Sequence, residues 1–212
     1  MLLRWQHKHN RNNMKDLSLL IAVVYHSVNG HTAKQATAVA SGVKKFGAKA
    51  ILYEVDGQFS AWQELEKADA IIFGSPTYMG SATAQFKAFM DESSKNVFYP
   101  HFKWKNKVAA GFTISASQAG DKSETLSQFS VFAAQHGMHW VNLGLPPANN
   151  SSTGSDKDLN RLGYWLGAAA QSNADEGAEA IPPADLQTAS YLGERVAQVT
   201  AQLKLGEKKV EH

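Results

Sequence analysis

The sequence predicts an α/β fold, a five-stranded parallel sheet of order 2-1-3-4-5 with helices on both faces. Three observations carry this. The first apolar run, LSLLIAVVY over residues 17–25, is continuous rather than alternating, as in a strand buried on both faces. Strand-like runs then alternate with helical stretches, which requires parallel pairing and crossover connections. Finally, the loops after strands one, three and four are short-chained and polar, and in that order all three fall at one sheet edge.

In chain order, residues 31–46 read as a helix stopped by Gly47, and residues 50–55 as the second strand. Residues 60–67 form a short helix with Ser60 as its N-cap, followed by a third strand over 68–74. Residues 82–91 are helical, 107–114 are the fourth strand, and 121–136 a long helix stopped by Gly137. The fifth strand is expected at 139–143 and the last helix at 184–203, after Pro182-Pro183. The stretch 145–181, rich in Gly, Asn, Ser and Pro, is too long for an ordinary connection and reads as a functional loop or an interface.

The expected organisation is one domain over 17–205, preceded by a disordered extension over 1–16 and followed by a flexible tail over 206–212. Met14 is an alternative start to Met1, since the structural pattern begins just after it. With 21 basic and 19 acidic residues, the net charge of +2 gives no reason to expect nucleic acid or an anionic membrane as partner. No apolar run is long enough to span a bilayer, and the polar, basic N-terminus does not read as a secretory signal. The absence of cysteine removes disulfides, thiolate metal sites and cysteine nucleophiles, and fits a cytoplasmic location. The histidines show no metal-ligand spacing, so no metal is expected.

The first loop is Ser27, Val28, Asn29, Gly30, His31 and Thr32, between a buried strand and a helix. Backbone N–H groups and the positive helix end suit a phosphate there, and Gly30 allows close approach. Lacking lysine, the loop is not a nucleoside-triphosphate site; a phosphate monoester suits it better. The same residues also fit an N-cap with an Asn-Gly turn. The second loop, residues 74–80, contains Pro76, Thr77, Tyr78, Met79 and Gly80, which offer apolar surface to a flat ring or form a turn with incidental aromatics. The third contains Ser115, Ala116, Ser117, Gln118, Ala119 and Gly120, suited to a polar ring edge and a hydroxylated chain, although any serine-rich loop has similar composition. His136 is a candidate proton or hydrogen-bond donor, or a histidine favoured by a helix C-terminus.

Residues 27–32, the run GSPTYMGSATAQFKAFMD over 74–91, His136-Gly137-Met138 and the last helix together resemble the flavodoxin-like NAD(P)H:quinone oxidoreductases of the WrbA type. The similarity extends to the wider NADPH-dependent FMN reductase superfamily. It implies a flavodoxin-like fold and bound FMN that takes hydride from NADH or NADPH and passes two electrons to a quinone-like acceptor. By position it assigns residues 27–32 to the phosphate, 76–80 to the isoalloxazine, and 115–120 to the ribityl chain and ring. It places His136 near the flavin edge, by way of a subunit interface, and implies a homodimer or homotetramer. The alternatives are an electron-transfer flavodoxin and an azo, nitro or FMN reductase on the same fold. SASQAG stands where the family's third loop is often richer in glycine.

Overall fold

The computed structural model describes residues 17–210, so the expected extension over 1–16 and the last two tail residues lie outside the described residues. Four parallel strands form the centre of the sheet: β1 (Leu20–Tyr25), β2 (Lys49–Glu54), β3 (Ala70–Tyr78) and β5 (Val108–Ser115), with a short β4 (Ser81–Ala82) antiparallel to β3. Two further pieces, β6 (His139–Trp140) and β7 (Ala168–Gln171), both pair in parallel with β5. The order is β2-β1-β3-β5-β6, the predicted five-strand order, and the fold is flavodoxin-like. The helices are α1 (His31–Phe46), α2 (Trp62–Lys67), α3 (Ala84–Ser93), α4 (Lys122–Gln135) and α5 (Pro183–Val210).

Strict alternation along β1 explains the uninterrupted apolar run. Ile21, Val23 and Tyr25 pack with α1 and α5 on one face. Ala22 and Val24 pack on the other, with Leu65 of α2, Phe86 and Phe89 of α3, and Phe129 and Phe132 of α4. Both faces are therefore covered, as a parallel sheet requires. The second face is aromatic: Trp62 stacks on Phe89 at 5.1 Å between centroids, beside the fully buried Trp104. On the first face α1 and α5 touch backbone to backbone. A Cβ on Gly42 would fall 1.7 Å from the Ser190 carbonyl, and one on Gly193 would fall 2.0 Å from that of Val39.

Three expectations are corrected. First, β3 does not end at Gly74 but runs to Tyr78, so most of the second loop is strand. Pro76 is tolerated because pairing with β1 stops at Gly74, leaving that stretch with β5 alone on the parallel side. The turn itself is Met79-Gly80, with φ of 49° and 80°, the two positive values of a tight type I′ hairpin into β4. Second, the stretch over 145–181 does not follow the fifth strand. It lies largely inside it, because β6 pairs with Val108 and Ala109 while β7 takes up the same edge again from Phe112 to Ser115. Third, the last helix extends past Leu203 to Val210, over part of the segment expected as a tail.

The insertion is pinned by polar contacts. Arg161 donates two hydrogen bonds to the buried Asp185 carboxylate, at 2.7 and 2.8 Å, and Asp185 also accepts from the Gln171 N–H. Asn160 donates through its side chain to the carbonyls of Leu145 and Tyr164. Among the described residues, no helix is long and apolar enough to cross a membrane.

Candidate functional site

The carboxyl ends of β1, β3, β5 and β7 bring the predicted loops around one small cleft, about 110 Å³ in volume. Val28, Asn29, His31 and Thr32 line it from the first loop, Pro76 and Tyr78 from the second, and Ser115 and Ala116 from the third. The remaining predicted residues lie around it. Ser27 supports the first loop, its Oγ accepting from the Ala33 N–H at 3.2 Å. Met79 and Gly80 form the hairpin tip, where Met79 is fully exposed. Ser117, Gln118, Ala119 and Gly120 continue the third loop outward toward α4.

The first loop has what an oxyanion needs. Gly30 is the N-cap of α1 at φ 82° and brings no capping side chain, so the only first-turn amide met by a side chain among the described residues is that of Ala33, held by Ser27 Oγ. Among the described residues, the N–H groups of residues 28–32 donate to no protein acceptor. Orphan donors at the positive end of a helix dipole favour an anion. The segment after β7 lies against this loop: the His31 ring bonds the Glu176 carbonyl at 3.0 Å, and Lys34 pairs with Glu179.

The Thr77 side chain turns into the protein beneath the cleft. It is buried, and its hydroxyl lies 2.8 Å from that of Thr113 and 2.7 Å from that of Thr125. Thr113 in turn donates to the Ser75 carbonyl at 2.7 Å. This sets a direction, Thr125 to Thr77 to Thr113 to carbonyl, that ties β3, β5 and α4 together beneath the cleft.

A second buried network joins the first two loops. His26 Nδ1 lies 2.8 Å from Thr83 Oγ1, and the Thr83 N–H donates to Ser75 Oγ at 3.1 Å. Burial lowers the His26 pKa, while Glu54 and Asp56 act in the opposite direction.

His136 is not brought to the cleft within this chain. It caps the far end of α4, just before β6 pairs with the start of β5, at the opposite edge of the sheet. At about 1.5 Å per residue, the helix separates it from the third loop by about 20 Å. The ring is 3% exposed and packs at 4.8 Å from both Trp104 and Phe132. Nε2 lies 2.8 Å from Ser93 Oγ, whose own proton goes to the Met90 carbonyl, so His136 is the donor. Burial pushes its pKa down to about 4, and Nδ1 has no protein partner among the described residues.

Sequence reasoning missed four contributors. Ser172, Asn173 and Ala174 line the cleft after β7, and Ser172 Oγ is buried without a protein partner among the described residues. The fourth, Lys122, is fully buried beneath the third loop. Of the large aromatics outside the three loops, Trp104 is core, whereas Tyr99 and Trp165 are exposed away from the cleft. Among the described residues, no group of three His, Asp or Glu side chains gathers in metal-binding geometry. The orphan amides and the orphan Ser172 hydroxyl fit a phosphate joined to a polar ring system, as in FMN.

Comparison with known proteins agrees with this geometry. Residues 55–151 match the family model described as NADPH-dependent FMN reductase. Flavodoxin FldP of Pseudomonas aeruginosa is 45% identical over 185 residues, spanning 85% of this chain and 96% of that one. An NAD(P)H dehydrogenase (quinone) of Archaeoglobus fulgidus is 33% identical over 206 residues, 86% of this chain and 98% of the other. Among solved structures, a flavodoxin, WrbA-like protein from Agrobacterium tumefaciens is 40% identical with a TM-score of 0.68, covering 87% of this chain and 99% of its own.

Proposed function

The chain belongs to the flavodoxin-like family of FMN oxidoreductases that includes the WrbA-like NAD(P)H dehydrogenases (quinone), and from that premise we propose that it binds FMN and transfers two electrons from NADH or NADPH to a quinone-like acceptor. The observation that supports this most is the run of free N–H groups over residues 28–32 at the start of α1. These amides face the same cleft as Pro76, Tyr78, Ser115 and the unpaired Ser172 hydroxyl.

FMN supplies the hydride-accepting and electron-donating chemistry. The protein's part is to bind and orient. Residues 27–32 hold the phosphate through backbone N–H groups, with Gly30 keeping the approach free of a side chain. Pro76 to Gly80 flank the ring: the buried Pro76 forms a stiff wall, and the half-exposed Tyr78 covers an open side where nicotinamide and acceptor enter. Ser115 to Gly120, with Ser172, meet the ribityl chain and the polar ring edge. Their amides favour charge that develops on reduction. Within one chain His136 does not serve the acceptor, since it is remote from the cleft and neutral near pH 7. Any role for His136 belongs to a cleft completed by a second subunit of a homodimer or homotetramer.

A second reading, an electron-transfer flavodoxin, is favoured by the 45% identity to a protein named as one. The two separate in one experiment. Protein loaded with FMN is mixed with NADH or NADPH and a benzoquinone. Rapid, quinone-dependent oxidation of the nucleotide supports the reductase. FMN binding without that turnover supports the carrier.

A further inference from the structure

The feature that the proposed chemistry leaves unexplained is Lys122. It is the first residue of α4 and has no exposed surface. Its Nζ donates to Ser115 Oγ at 2.8 Å and to the carbonyls of Ser117 and Gln118 at 2.9 and 2.8 Å, and it lies 5.6 Å from the centre of the Tyr164 ring. No carboxylate pairs with it among the described residues, and Asp185 is committed to Arg161. A buried ammonium held by neutral groups alone is unfavourable. Its place at the positive end of a helix dipole makes it more so.

The arrangement has a geometric consequence. Lys122 draws the Ser117 and Gln118 carbonyls inward, and the Tyr164 hydroxyl holds that of Ala119 at 2.6 Å. With three successive carbonyls held inside, the N–H groups of residues 116–121 donate to no protein acceptor among the described residues. The third loop thus becomes a rim of unpaired amides above a buried positive charge. Beside it, Ser172 is 6% exposed, and its buried Oγ, without a partner among the described residues, lies in the same cleft wall as Ser115 and Ala116. Three sources of positive potential converge where an electron-rich ligand edge would complete them.

We propose that Lys122 is a positioning residue that shapes the third loop for the flavin and, by its charge, makes the site bind reduced FMN more tightly than oxidised FMN. The proposal rests on the FMN reading above. It predicts a higher midpoint potential than the same loop would give over a neutral residue. A residue that merely propped up the loop would affect both redox forms of FMN alike and leave the potential unchanged.

The test compares wild type with Lys122→Gln, which keeps hydrogen-bond donors without the charge, and Lys122→Met, which keeps neither. FMN affinity is measured by fluorescence quenching and the midpoint potential by equilibration with a reference dye. The expected result for Lys122→Gln is about a tenfold loss of preference for reduced FMN, a potential about 30 mV lower for a two-electron couple. Lys122→Met should show the same fall in potential, together with a weaker affinity for oxidised FMN. An unchanged potential in a variant that still binds FMN overturns the proposal.

If neither variant folds, wild type alone decides. Burial lowers the Lys122 pKa to about 8, Asp185 opposing and Arg161 reinforcing the shift. Of the other ionisable groups beside it, Tyr164 has its pKa raised by burial first and by Asp121 second. The potential should therefore fall more steeply as pH rises through about 8. No break there refutes the charge role. Failure of wild type to bind FMN at all would instead remove the functional reading on which the proposal stands.

Discussion

Acidification offers a quantitative test of the structural account of His136. Burial lowers its pKa from 6.5 to about 4 in the folded protein, whereas in the unfolded chain the ring regains its ordinary proton affinity. Between those values the unfolded state binds more protons, so stability falls as pH falls, beginning near 6.5 and ending near 4. At about 1.4 kcal/mol per tenfold change in proton affinity, the loss attributable to this one ring is about 3 kcal/mol. The perturbation is His136→Gln, which can still donate to Ser93 Oγ but does not titrate. Urea unfolding of wild type and variant at a series of pH values gives two stability curves. His26 shifts in the same direction and contributes to both, so their difference isolates His136. The variant should be less stable near neutral pH, through lost packing on Trp104 and Phe132, yet lose about 3 kcal/mol less than wild type on going to pH about 4. Parallel curves would refute the burial argument.

Three further outcomes follow from named contacts. Ser172→Ala should leave the FMN-free protein as stable or slightly more so, because the buried Oγ has no protein partner, while weakening FMN binding by about 1 kcal/mol; differential scanning calorimetry and a flavin titration check both halves. Thr77→Val interrupts the Thr125–Thr77–Thr113 chain and leaves a buried hydroxyl unmatched, at a cost of about 1–3 kcal/mol in urea unfolding. Gly193→Ala drives a methyl into the Val39 carbonyl where α1 meets α5; a loss of about 1–3 kcal/mol is expected, read as a lowered Tm, and an unchanged Tm would contradict the close helix contact.

Much of the fold was legible because a doubly covered parallel sheet writes itself as uninterrupted apolar runs, as in residues 17–25, and because glycine marks helix ends, as at Gly47. The geometry of the first loop was legible for the same kind of reason, since an Asn-Gly pair between strand and helix marks a turn with a positive φ, as found at Gly30. What escaped depended on partners distant in sequence. Proline argues against a strand, and nothing local reveals that β1 stops at Gly74 and so frees Pro76 from the ladder. The alanines of β7 carry no strand preference; the edge of β5, not their own propensity, makes them a strand. Lys122 looks like any lysine near a helix start until Ser115, Ser117 and Gln118 are seen around its Nζ. The placement of His136 was available from topology, because a 14-residue helix that begins at the carboxyl edge must end at the amino edge.

The measurement that bears most directly on the central claim is titration of the protein with FMN, followed by flavin fluorescence and the visible spectrum, with Gly30→Ala in parallel. The account predicts saturable binding at micromolar FMN by wild type. It predicts markedly weaker binding by the variant, whose added methyl sits at a φ of 82° in the phosphate loop. Absence of FMN binding by wild type, or equal binding by both proteins, would contradict it.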